Sequence, residues 1–174
     1  MRPRTASWVL IGLVACLPAA GCTGRGTGAA AGTPNAVTVD GAVGERRTWT
    51  VDQLATLPLQ TQDASYLAEG GERTLHARGV SLLDLLNRAK PKFNPKIKRD
   101  ELRYAVLIHA TDRYEAVVAW AEMAPDFAAK PVLVDVEEDG KKLDRASILV
   151  PGDKDGGRHV HDVDRIRLVE VKAP

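Results

Sequence analysis

The body of this chain has no cysteine: among 174 residues only Cys16 and Cys22 carry a thiol, and both lie near the N-terminus. Residues 36–174 therefore cannot build a disulfide framework, a thiolate nucleophile or a thiolate-bound metal site, and their stability must come from packing. An excess of charge is missing as well, with 24 Lys and Arg against 23 Asp and Glu. Aromatic residues are only 5% of the chain, and no basic stripe is interleaved with them, so nucleic acid is not an expected partner. No apolar run is long enough to span a bilayer, and no internal repeat is visible. Neither an H-E-x-x-H pair nor phosphate-loop spacing occurs. No Ser-His-Asp set is identifiable by spacing, because Ser65, Ser81 and Ser147 all have simpler structural roles.

What is present begins at the N-terminus. Arg2 and Arg4 precede an apolar stretch over 8–15, and small residues lead to Cys22 in Leu17-Pro18-Ala19-Ala20-Gly21-Cys22. This is the order of an export signal, and a cysteine directly after small residues can be acylated and become the new N-terminus. Leu13-Val14-Ala15-Cys16 offers a rival cleavage point, but cutting there would leave an apolar core of about ten residues, near the lower limit for such a segment. The expectation is a signal peptide over 1–21, lipidation at Cys22, and export to the cell envelope with attachment to a membrane through the lipid. An uncleaved apolar tail or ordinary secretion is the alternative. Loss of 1–21 removes Arg2 and Arg4 and no acid, so 22 of the 24 bases remain beside all 23 acids. Residues 22–35, mostly Gly, Ala, Thr and Pro with one charge at Arg25, read as a flexible tether. Residues 36–174 have the size of one domain with a single core.

Val37 and Val39 alternate with Thr38 and Asp40, which predicts a strand, and a second is expected over 47–49. Thr50 and Gln53 have capping-box spacing for a short helix with Leu54 and Leu57 on its apolar face, stopped by Pro58. Residues 60–71 are polar with little periodicity and read as a long loop, followed by a strand over 72–78. Ser81 can cap a second helix whose Leu82, Leu83, Leu85 and Leu86 require burial, with Pro91 ending it. Core strands are expected over 102–110, 114–119, 131–136 and 147–150, and a closing strand over 163–171. In the last, Val169 and Val171 fall on the side of Arg165 and Arg167, which predicts a bulge or a change of neighbours near Leu168. The sum is a strand-dominated α+β domain with short helices between strands.

The strongest candidate site is Pro151-Gly152-Asp153-Lys154-Asp155-Gly156-Gly157-Arg158. Its glycines let backbone approach a ligand, and Lys154 and Arg158 supply positive charge for a phosphate or another small anion. Asp153 and Asp155 oppose an anion, so a glycine-rich hairpin with solvated charges is the competing reading. His159 and His161 are two apart, so on a strand both rings project from one face and could share a metal with Asp162 or a distant carboxylate. Two imidazoles alone do not make a zinc site, and a solvated pair is the simpler alternative. His109 reads as a satisfied histidine at the core edge and His76 as a surface strand residue. Asp112-Arg113-Tyr114 lies between two core strands, where Asp112 either serves function or holds the turn. Glu137-Glu138-Asp139 reads as a solvated hairpin tip.

The order of these pieces resembles the small stand-alone form of the sulfite-oxidase-type molybdopterin-binding domain, over nearly all of 37–171. The resemblance rests on Val39-Asp40-Gly41-Ala42-Val43, on the run from Trp49 to Pro58, and on Arg78-Gly79-Val80-Ser81-Leu82-Leu83-Asp84-Leu85-Leu86. It continues in Asp112-Arg113-Tyr114-Glu115-Ala116-Val117-Val118, in Ile148-Leu149-Val150-Pro151-Gly152-Asp153 through Gly157-Arg158, and in Asp164-Arg165-Ile166. It implies a fold that, in members that do chemistry, holds a molybdenum pterin through a cysteine between the first helix and the next strand. Here that stretch, 59–73, has none. Asp112 and Tyr114 match the family's Asp-Gly-Tyr, with Arg113 in place of its glycine. Arg158 matches the arginine of the late glycine loop, with His161-Asp162 where Lys-Trp commonly follows. Ala119 stands where relatives often place a helix-capping serine, which predicts a weakened helix over 120–123. The implied cofactor-binding residues are Asp112, Tyr114, Lys154, Arg158 and His161. A soft metal normally bound by thiolate finds no equivalent donor, so no cofactor is expected, although molybdopterin is possible. The expectation is a lipid-anchored binding or accessory module with a small anion or a protein as partner. The alternatives are an oxidoreductase that keeps the pterin without a thiolate, and a metal-binding lipoprotein centred on His159 and His161.

Overall fold

The computed structural model describes residues 35–172. The expected signal peptide, Cys16, Cys22 and the expected tether as far as residue 34 lie outside the described residues. Strand β1 (Ala36–Gly41) buries Val37 and Val39 and pairs antiparallel with β2 (Arg47–Thr50). Thr50 then caps helix α1 (Val51–Ala55): its hydroxyl accepts from the Gln53 amide at 3.2 Å, and the Gln53 side chain accepts from the Thr50 amide at 2.9 Å. The predicted capping box is therefore formed.

The expected loop over 60–71 is instead a hairpin. Strand β3 (Gln60–Ala68) pairs residue for residue with β4 (Gly71–Ser81), from Gln60 opposite Gly79 to Ala68 opposite Gly71. Polar side chains hide this strand from a hydrophobic pattern, because β3 is an edge strand and, of its nine residues, only Tyr66 is buried. Helix α2 (Leu82–Arg88) follows, with Ser81 accepting from the Asp84 amide and Leu82, Leu85 and Leu86 fully buried. Seven residues are too few for a helix to stand alone. Burial of about 2 kcal/mol per leucine holds it against the core.

Strand β5 (Tyr104–Ala110) alternates buried and half-exposed residues, and β6 (Glu115–Ala119) returns beside it. Helix α3 (Trp120–Met123) has no side-chain cap at Ala119, as expected, but the Ala119 amide donates to the Glu122 carboxylate at 3.1 Å. Strands β7 (Leu133–Glu138) and β8 (Lys141–Leu149) form a hairpin, and β9 (Val163–Glu170) closes the chain between β1 and β5. The sheets are β2-β1-β9-β5-β6 and β3-β4-β7-β8. Val39, Val106, Ile108, Ile166 and Leu168 from the first and Val80, Val134 and Ile148 from the second share one core with α2. The architecture is the expected strand-dominated α+β.

Pairing of β1 with β9 does end at Gly41 opposite Leu168, the predicted change of neighbours. No face swaps there: Val169 and Val171 stay exposed beside the arginines. The irregularity in β9 lies at Asp164, between the pairs His109–Arg165 and Ala110–Val163.

A bulge in β7 decides which of its side chains reach the outer face of its sheet. Gly79 pairs with Asp135 and Arg78 with Glu137, so Val136 is an extra residue, and it turns into the core. One extra residue reverses the parity of a strand. Glu138 therefore joins Ala77 and Asp135 on the outer face of the four-stranded sheet, the side that carries Tyr66, Leu75 and Leu149.

Candidate functional site

The segment after β8 lies against that outer face. Val160 exchanges backbone hydrogen bonds with Ile148 at 2.8 and 3.0 Å and is buried, so His159 and His161, one residue to either side, project away from the core. Their rings stand 4.3 Å apart. His159 Nε2 lies 3.2 Å from Glu138 Oε1, and its Nδ1 is 2.7 Å from the Tyr66 hydroxyl. His161 Nδ1 is 3.3 Å from Ser147 Oγ. Glu138, His159 and His161 each offer a ligand atom within 4.8 Å of the others. Spacing alone leaves the carboxylate partner of the two histidines as Asp162 or a distant residue, and the partner here is Glu138. The hairpin tip 137–139 is thus not wholly solvated: the Glu138 side chain is 14% exposed, and Asp139 accepts from the His76 amide at 3.0 Å.

Burial would raise the Glu138 pKa, but the hydrogen bond from His159 and the charges of both histidines outweigh it and hold the carboxylate below its ordinary value. Desolvation, followed by the neighbouring His159, pushes His161 down, and desolvation pushes the Tyr66 phenol up. The Tyr66 phenol and the imidazoles of His159 and His161 line one groove of about 700 Å³, together with Arg73, Asp155 and Gly156. Asp135 lies beneath, fully buried with neither oxygen hydrogen-bonded, and burial pushes its carboxyl up to about 9. It is uncharged near neutral pH.

The glycine loop is built differently from an anion cradle. Arg158 donates from Nε and Nη2 to Asp153, both at 2.7 Å, and from Nη1 to both oxygens of Glu122 at 3.0 and 3.1 Å. Lys130 adds contacts to the same two carboxylates at 3.3 and 3.5 Å. Two cations and two carboxylates cancel. The hydrogen bonds it donates to Asp153, then those to Glu122, raise the Arg158 pKa above its already high value, and Arg158 in turn lowers that of Asp153. Lys154 is exposed and lines a shallow depression with Asp155 and Arg158, apart from the histidines.

Asp112 holds the turn by accepting from the Tyr114 amide at 2.8 Å, and the Tyr114 hydroxyl donates to the Gly157 carbonyl at 2.6 Å. Arg113, in the family's glycine position, has φ +75°, a left-handed backbone that favours glycine. Asp112, Tyr114, His159 and His161 do line one depression of about 240 Å³. His109 and His76 are each paired with an aspartate, Asp164 and Asp63, at 2.7 Å. Sequence reasoning missed Tyr66, Glu138 and Asp135. Tyr66 sat in the supposed loop, and Glu138 reaches the site only through the bulge.

The sequence matches no protein-family model and no curated protein. In fold it is similar to the crystal structure of the sulfane dehydrogenase SoxCD from Paracoccus pantotrophus, with a TM-score of 0.61 and 20% identity over 76% of this chain. The chain spans about 37% of the length of that protein's chain. The likeness is one of fold.

Tested against the molybdenum pterin that the sulfite-oxidase resemblance implies, the residues do not fit its thiolate-ligated form. The stretch expected to carry the cysteine is the β3–β4 hairpin, and the only sulfur in residues 35–172 is the buried Met123 thioether. That hairpin is tied to the glycine loop, with the Leu67 amide donating to the Lys154 carbonyl at 2.9 Å. Tyr66 packs so closely on the loop that a Cβ on Gly156 would lie 2.7 Å from its ring. The fork of Arg158 is spent on Asp153 and Glu122.

Proposed function

We infer that the chain is an exported, lipid-anchored envelope protein whose sulfite-oxidase-type domain serves as a non-catalytic binding module. The observation that carries this reading is the engagement of Arg158 by Asp153 and Glu122 beside a hairpin with no sulfur donor. A group that would hold an anionic cofactor is already neutralised, and the soft ligand of the redox metal is missing. The order of charge, apolar run and small residues before Cys22 supports the anchor. The alternative, an oxidoreductase that retains a pterin through Lys154, Arg158 and His161, requires Arg158 to leave two part-buried carboxylates with Lys130 as their one remaining cation.

Sulfite-dependent reduction of an artificial electron acceptor by the full chain, made in a molybdate-supplied host, tests the first half of the reading. No turnover is expected, and turnover above a protein-free control overturns it. Membrane fractionation tests the second half. The chain is expected in the membrane fraction and Cys22→Ala in the soluble one, and equal partition of the two overturns the anchor.

A further inference from the structure

We propose that Glu138, His159 and His161 form a binding site for a divalent first-row transition metal, with zinc the ion that the donor set suits best. The assignment rests on the reading of the domain as a binding module and names its ligand. A carboxylate and two imidazoles are the hard and borderline donors that zinc accepts, and three protein ligands leave a fourth position open to the groove. In a tetrahedral site with bonds of about 2.0–2.1 Å the donors stand about 3.3 Å apart, and Glu138 Oε1 and His159 Nε2 are already 3.2 Å apart. His161, held at one ring nitrogen only and exposed on the groove side, closes the remaining distance by rotation of its side chain.

The surroundings supply a second, independent indication. A histidine that binds metal through one nitrogen normally engages an oxygen partner through the other, which fixes its tautomer and orientation. Both histidines have this arrangement: Tyr66 Oη at 2.7 Å from His159 Nδ1, and Ser147 Oγ at 3.3 Å from His161 Nδ1. A structural ion pair between Glu138 and His159 would not need His161. Gly156 is small where Tyr66 packs, so the phenol is wedged against His159 in an edge-on contact of 5.3 Å between ring centres. Tyr66 is thus a positioning residue for the ligand it orients.

The test is a calorimetric titration of the full chain, stripped with chelator and held in detergent, with zinc chloride. One zinc per chain is expected, at micromolar affinity or tighter. His161→Asn, at an exposed position, and Glu138→Gln, close in shape, are each expected to lose at least about tenfold, and Tyr66→Phe about tenfold through its loss of orientation. Absence of saturable binding, or unchanged affinity in both His161→Asn and Glu138→Gln, overturns the site. Molybdenum and pterin are measured on the same preparation. Their stoichiometric presence overturns the binding-module reading whatever zinc does, whereas failure of zinc to bind without them overturns this site alone.

Discussion

Tyr66 and His159, 93 positions apart in sequence, share a 2.7 Å hydrogen bond across the junction of the β3–β4 hairpin and the glycine loop. The bond ties the edge strand β3 to the histidine segment after β8. Gly156 is the hinge of that contact, because a Cβ there would press on the Tyr66 ring at 2.7 and 2.9 Å. Gly156→Ala is expected to destabilise the fold by about 1–3 kcal/mol, the usual cost of overpacking a filled space. Urea unfolding measures this, and an unchanged midpoint would show that the ring yields freely.

Asp135 gives the domain a pH dependence of known sign. Its carboxyl keeps its proton to about pH 9 when folded, whereas the unfolded chain releases it near the ordinary value of 3.8. The folded state therefore binds more protons through that window, and stability falls as pH rises, by at most about 1.4 kcal/mol per unit. Asp135→Asn removes the effect, so its stability relative to the parent is expected to grow between about pH 5 and about pH 8. Parallel melting curves at the two pH values check this.

Arg158 holds Asp153 and Glu122 together, all three less than a third exposed. Arg158→Gln leaves both carboxylates without their main partner and is expected to cost about 1–3 kcal/mol. The triple variant with Glu122→Gln and Asp153→Asn is expected to recover part of that loss, because it removes the uncompensated charges. Chemical denaturation of both variants decides it, and a triple variant no more stable than the single one would show that the charges are indifferent to one another.

Arg113 stands in a left-handed conformation at φ +75°. Arg113→Gly relieves about 1 kcal/mol of backbone strain and gives back part of it as entropy of the unfolded chain, for a net gain of a few tenths to about 0.5 kcal/mol. A small rise in melting temperature checks the sign.

The sequence was most legible where a side chain's role is local. The Thr50–Gln53 capping box, the leucines of α2 and the shared face of His159 and His161 all come from spacing within a few residues. The strand over 72–78 was legible, but its partner β3 over 60–68 was not, because an edge strand with one solvated face can be built from Gln, Thr and Ser. The signals that could have revealed it were Gly70-Gly71 as a turn and the facing hydroxyls Ser65 and Thr74, which meet at 3.0 Å. Glu138 was hidden for a different reason. Only the extra residue at Val136 carries it to the face of Tyr66, and a bulge leaves no mark on the hydrophobic pattern of Leu133-Val134-Asp135-Val136. The neutralisation of Arg158 depends on Glu122, 36 positions away, and no spacing within the glycine loop announces it.

The binding-module reading turns on whether the side chains that would cradle a redox cofactor have instead closed on one another. The molybdenum content of the full chain, purified from a host supplied with molybdate and expressed as atoms per chain, tests this most directly. No stoichiometric molybdenum is expected. One tightly held molybdenum per chain, retained through chelator treatment, would contradict the reading.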